Sequence, residues 1–172
     1  GYKVRPGQLL MVKAIDDNYP FYGTIELEGG KVVDQTAATK SDLLENGIYL
    51  YPELSQTLGL KKSDQVKLGD LSLQVKDFVT KDSTQTFRLA LLAPKVYIHR
   101  SLLAKSGLIK FGSTFTKAYL FKTQTNDPTF EVSAGVIEKL NSIVTDPAIR
   151  IDTPISAGED SGRQLGYLSD FL

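Results

Sequence analysis

Val66-Lys67-Leu68-Gly69-Asp70-Leu71-Ser72-Leu73-Gln74-Val75 decides how this chain is read. Apolar and polar residues alternate on both sides of Gly69-Asp70, the period of a half-buried strand. With a two-residue loop, Leu68 faces Leu71 and Val66 faces Leu73. Val66, Leu68, Leu71, Leu73 and Val75 then share one face, as an antiparallel pair lying on a core requires.

Upstream, Pro52 to Leu60 reads as a short helix, because proline suits the first turn and Gly59 the left-handed C-terminal position. Ile48 to Tyr51 before it is a short strand. Asp34 to Asn46 is polar and lacks alternation, so it reads as a surface loop with one helical turn at Ser41 to Glu45. Thr24 to Leu27 and Lys31 to Val33 flank Gly29-Gly30, read as a two-residue hairpin loop. The first strand carries Leu9, Leu10, Val12, Ala14 and Ile15 and stops at Asp16-Asp17. Tyr19-Pro20 imposes an extended or turn geometry, since the proline ring clashes with a helical predecessor.

Downstream, Lys81 to Gln85 is a polar break and the expected lobe boundary. Phe87 to Leu92 is nearly all apolar, the mark of a strand covered on both faces. Val96 to Ile98 is a strand, Ser101 to Ser106 a short helix stopped by Gly107, and Phe115 to Lys122 another strand. Val136, Ile137, Leu140, Ile143 and Val144 keep a helical stripe. Asp146-Pro147 ends that helix and Ala148 to Ile151 supplies a last strand, giving a βαβ-like unit. The fold class expected is α+β, with a β-rich first half and a second half of α/β character. In the tail, 156–172, Leu165, Leu168, Phe171 and Leu172 place one apolar edge on a closing helix.

At 172 residues the chain can bury a substantial core. Lys+Arg and Asp+Glu both total 20, so net charge is zero and a broad basic nucleic-acid face is not expected. There is no cysteine, which removes disulfides and thiolate metal sites. No apolar run approaches the roughly 20 residues of a membrane helix. The chain starts at Gly1-Tyr2 without methionine and reads as an excised piece of a longer protein.

Several stretches, in order, carry a family resemblance: Lys13 to Gly23, Tyr49-Leu50-Tyr51-Pro52-Glu53-Leu54, Leu58 to Asp64, Val66 to Leu71, Leu92 to Ile98, Ser106-Gly107-Leu108-Ile109 and Phe111-Gly112-Ser113. Their order and spacing over residues 8 to 122 resemble the extracytoplasmic, MacB-like periplasmic core domain of FtsX/MacB-type ABC transporter permeases, within the YbbP-like group. The family usually has glycine where Ser63 stands, and proline often precedes the last Gly-Ser, where this chain has Phe111. Gly162-Arg163-Gln164-Leu165 with Phe171-Leu172 resembles the lead-in to a second membrane helix. Gly1 to Gln8 is too short for the strand and helix with which such domains normally begin.

The resemblance implies Sabre-like (9–83) and Porter-like (84–155) lobes on the periplasmic side of a bacterial inner membrane. It also implies a cytoplasmic ABC ATPase subunit, a second permease copy and no cofactor. The domain would be non-catalytic and would relay ATP-driven motion to a lipid, lipoprotein, peptide or partner hydrolase outside. The alternatives from residues alone are a free-standing binding or assembly module and, less favoured, a hydrolase.

Tyr19, Phe21, Tyr22, Tyr49 and Tyr51 form a local aromatic enrichment. Core packing is its first reading, and a groove for an acyl chain or partner strand its second. His99, the only histidine, cannot build a multi-histidine metal site and reads as a surface or capping residue. Asp16-Asp17 reads as a turn in which an Asp oxygen accepts a nearby backbone N–H. Asp160-Ser161-Gly162 reads as a helix N-cap rather than a protease serine. No Walker loop, nucleophile elbow or dinucleotide fingerprint is present.

Overall fold

The computed structural model describes residues 9–20, 23–34, 41–84, 94–121 and 134–151. In chain order the elements are β1 (Met11–Ile15), β2 (Ile25–Leu27), β3 (Val32–Val33), α1 (Ser41–Leu44), β4 (Gly47–Leu50), α2 (Pro52–Leu58), β5 (Gln65–Leu68), β6 (Leu71–Asp82), β7 (Lys95–His99), α3 (Arg100–Leu103) and α4 (Ala134–Ile143). The strands form one mixed sheet in the order β1-β7-β4-β6-β2-β3, with β5 also on β6. β1 lies parallel to β7, and β4 lies parallel to β6 and antiparallel to β7.

The hairpin read from the sequence forms with the expected register, Leu68 opposite Leu71 and Val66 opposite Leu73. α2 has proline in its first turn and ends at Gly59 in the left-handed conformation, with the Leu60 N–H donating to the Ser55 carbonyl at 2.9 Å. Gly29-Gly30 is not a two-residue loop. The Gly30 N–H donates to Leu27 O and the Leu27 N–H to Lys31 O, both at 2.9 Å, while Ile25 pairs with Val33. The connection is therefore the three residues 28–30, with only Gly30 at positive φ, the second commonest hairpin solution.

Both sheet faces are covered, because each strand feeds two cores by alternation. Ile48, Leu50, Val96, Ile98, Leu73 and Val75 pack with Leu54 of α2 and Leu102 of α3 on one side. Tyr49, Tyr97, Ile15, Ile25, Leu27, Val79 and Leu43 of α1 pack on the other. β4 contributes to both and is buried along its whole length.

β6 is longer than the sequence suggested. The polar residues 81–82 continue the strand, with Lys81 opposite Glu26 and Asp82 opposite Ile25. Ser83 closes onto Thr24 through backbone and side chain. Two register shifts, at Tyr49 and between Glu26 and Leu27, each insert one extra residue in β6. β7, placed by composition beyond the polar break, is hydrogen bonded to β1 and β4 within the same sheet.

The described residues fall in two compact units. One holds every strand and α1 to α3 and runs through Leu120, and the other holds Phe121 and α4. α4 forms where the apolar stripe predicted a helix, with Val136, Leu140 and Ile143 exposed. The expected strands on either side of it do not form among the described residues. Residues 115–121 have no ladder partner there and expose Phe115, Tyr119, Leu120 and Phe121. Residues 148–151 instead follow a turn in which the Ala148 N–H donates to the Asp146 carboxylate at 2.8 Å. The expected strand Phe87 to Leu92, the helix of 156–172 and the Asp160/Ser161 cap lie outside the described residues.

Candidate functional site

Among the described residues, a linked group of polar side chains sits on the tyrosine-bearing face of the sheet. β1 supplies Lys13, the turn after it Tyr19, the residue following β4 Tyr51, the end of β6 Asp82 and then Thr84, and β7 Tyr97. Lys13 lies opposite Tyr97 in the β1–β7 register, and Tyr49 also lies opposite Tyr97 in the β4–β7 register. Asp82 shares this face because of the second bulge. In unbroken alternation from Val79 it would point away, but the extra residue puts Lys81 outside and Asp82 inside.

The hydrogen bonds form a directed chain. The Lys13 ammonium donates to the Tyr19 hydroxyl. Tyr19 donates to Thr84 Oγ1 at 2.6 Å, and the Thr84 hydroxyl donates to Asp82 Oδ1. The other carboxylate oxygen accepts from the Tyr97 hydroxyl and, at 3.4 Å, from Tyr51. The Lys13 ammonium also lies 4.5 Å from the Tyr19 ring centroid and 5.5 Å from that of Tyr97. Tyr51 and Tyr97 pack with centroids 6.4 Å apart.

Burial and charge act in opposition here. Burial alone would raise the Asp82 carboxyl. The hydroxyls of Thr84 and Tyr97, the Thr84 N–H and the Lys13 charge outweigh it and hold Asp82 below the ordinary carboxylate range. Burial lowers the Lys13 ammonium, with Asp82 opposing, and lowers Lys95, where Lys13 adds repulsion. Burial pushes the Tyr19 phenol up to about 12, and burial together with Asp82 raises Tyr97 further. The site therefore holds an ionised carboxylate, protonated phenols and an ammonium less firmly protonated than a surface lysine.

Of the five aromatic residues singled out from sequence, Tyr19 and Tyr51 meet in this network. Tyr49 is fully enclosed, with 0 % of its surface exposed, in the core beneath it. Phe21 and Tyr22 lie outside the described residues. Lys13, Asp82, Thr84 and Tyr97 were not foreseen. Their one advance sign was a charged or hydroxyl-bearing residue at an inward parity position, and the bulge conceals that parity for Asp82.

His99 caps α3 as expected, its Nδ1 accepting from the Ser101 N–H at 3.2 Å. It is not on the surface, being 7 % exposed, with Nε2 3.3 Å from an Asp17 carboxylate oxygen. Asp16 forms the expected turn, its carboxylate accepting from the Asn18 N–H at 3.2 Å. Among the described residues no three His, Cys, Asp or Glu side chains converge as a metal site. No described helix is long and apolar enough to cross a membrane.

No family model matches the chain, and no solved structure matches it. Among curated proteins, the chain is similar to one described as an uncharacterized ABC transporter permease, YbbP, of Escherichia coli (strain K12), with 29% identity over 114 residues. The match covers 66% of this chain, and the chain spans only 13% of the relative's length. This likeness supports an ABC permease-related family and indicates no catalytic one.

Proposed function

We propose that the chain is an extracytoplasmic domain of an ABC transporter permease, non-catalytic, on the periplasmic side of a bacterial inner membrane. The observation that carries this reading is the 29% identity over 114 residues to a permease. The whole protein would work with a cytoplasmic ABC ATPase and a second permease copy. The domain would pass ATP-driven motion to a lipid, lipoprotein, peptide or partner protein. A sheet covered on both faces suits such a relay, because close-packed interiors are barely compressible and pass displacement on. The Lys13–Tyr19–Thr84–Asp82 chain adds to this by tying β1, the turn after it and the end of β6 together through side chains. In this reading Tyr19, Tyr49 and Tyr51 serve first to pack and brace, and the partner or lipid groove expected of Tyr19, Phe21, Tyr22, Tyr49 and Tyr51 is a secondary role.

Protease added to intact spheroplasts expressing the parent gene tests the location. Cleavage within this segment without lysis is expected, and cleavage only after lysis sinks the reading. The relay is tested by locking the two expected lobes, 9–83 and 84–155, with an engineered disulfide. ATP hydrolysis that persists while transport-coupled work stops supports it, and unimpaired work in fully crosslinked protein overturns it.

A further inference from the structure

A different part of the molecule, the stretch after α3, points toward a ligand. Lys110 to Ser113 is a tight turn closed by the Ser113 N–H donating to the Lys110 carbonyl at 2.9 Å. The Ser113 hydroxyl fastens it twice, accepting from the Lys110 N–H at 2.9 Å and donating to the Leu108 carbonyl at 3.0 Å. Gly112 takes a φ of 85°, which leaves Phe111 at the outer corner. That corner of a turn with positive φ at the next position favours proline. This chain places an aromatic ring there, 110 % exposed, on a backbone ordered by its own hydrogen bonds. Phe115 and Tyr119 follow, both exposed, with the Lys117 ammonium 4.8 Å from the Tyr119 ring centroid.

Along this part of the chain the charge is of one sign, with the Asp70 carboxylate of the β5–β6 hairpin the acid that reaches in beside Gly107. Every Asp, Glu, Lys or Arg between Asp82 and Asp127 is a lysine or an arginine, although the whole chain is neutral. Lys105, Lys110 and Lys117 are exposed within this stretch. Exposed aromatic rings interspersed with lysines, and no acid from Phe111 to Tyr119, are the chemistry of a protein surface that meets anionic lipid headgroups. A second copy of the same face is disfavoured, since a two-fold contact would set like charges against each other.

We propose that the Phe111 turn, with Lys105, Lys110, Phe115, Lys117 and Tyr119, docks on an anionic lipid bilayer surface. Phe111 enters the headgroup–acyl boundary and the lysines pair with lipid phosphates. This does not depend on the permease reading, which stands or falls on topology and coupling.

The test is flotation of the 172-residue chain with phosphatidylcholine vesicles, with and without phosphatidylglycerol, at low and high salt. Retention on the anionic vesicles alone, weakened by salt, is expected. Phe111→Ser should reduce it about tenfold through lost burial of the ring. Lys110→Glu with Lys117→Glu should reduce it at least as much, while Phe111→Leu should largely retain it. Unchanged thermal unfolding of Phe111→Ser shows that the fold is intact, as expected for a ring in solvent. No retention at low salt, or retention that Phe111→Ser leaves unchanged, overturns the proposal. So does a concentration-dependent dimer that Phe111→Ser dissolves, which assigns the turn to a second copy.

Discussion

Ser63 occupies a backbone position that most side chains avoid. Its φ is 73°, in a turn where the Ser63 N–H donates to Val75 O at 2.8 Å. A left-handed conformation costs a residue with a Cβ about 1–2 kcal/mol, partly offset by the greater freedom glycine has in the unfolded chain. Ser63→Gly should therefore stabilise the protein by about 0.5–1 kcal/mol, read as a higher urea midpoint at unchanged slope. Asp82 is the second residue with a sharp expectation. Its folded pKa lies below the unfolded one, so its contribution is complete above the unfolded carboxylate pKa, near 4, and is lost as pH falls through the folded value. Asp82→Asn should cost about 1–3 kcal/mol at neutral pH by weakening charge-assisted hydrogen bonds. The gap from wild type should shrink below about pH 4. A gap constant from pH 7 to pH 2.5 would show that Asp82 acts through packing alone.

Among elements, the β5–β6 hairpin and the end of α3 fit each other through two glycines. A Cβ on Gly69 would lie 2.1 Å from the Ser106 carbonyl oxygen, and one on Gly107 would lie 1.9 Å from the Asp70 carboxylate. The Asp70 N–H donates to that same Ser106 carbonyl at 2.8 Å. Gly69→Ala should thus lose about 2–4 kcal/mol, since backbone meets backbone and neither can yield. Gly112→Ala, also at positive φ but with open space around it, should lose only about 1 kcal/mol. Equal losses would remove the close approach as the cause.

The hairpin, the Gly59 cap and the α2 start were legible because each depends on residues within one turn of each other. The parity of Asp82 was not, because an extra residue in β6 is set by what β2 offers across the sheet, and nothing near Asp82 encodes that. The strand expected at Phe115 to Lys122 does not form over its described residues, 115–121, for a related reason. Its residues suit a strand, yet among the described residues no partner edge receives them.

For the whole molecule, the sheet unit contains every strand among the described residues and both buried clusters before Leu120. A chain ended at Leu120 should keep cooperative unfolding and near-native far-ultraviolet dichroism for the strands. Loss of a cooperative transition would show that the sheet depends on residues 121–172.

The pairing of β1 with β7 has a kinetic side. β7 is the sole ladder partner of β1 among the described residues, and Met11 meets Lys95 across it. A nascent chain emerging N-terminus first must therefore hold β1 unpaired until nearly the whole unit has followed, and closing so distant a contact is slow. In a refolding experiment with pulsed deuterium labelling, β1 amides should gain protection last, after those of the β5–β6 hairpin. Until then its open edge is a natural foothold for a chaperone or for another unfinished chain.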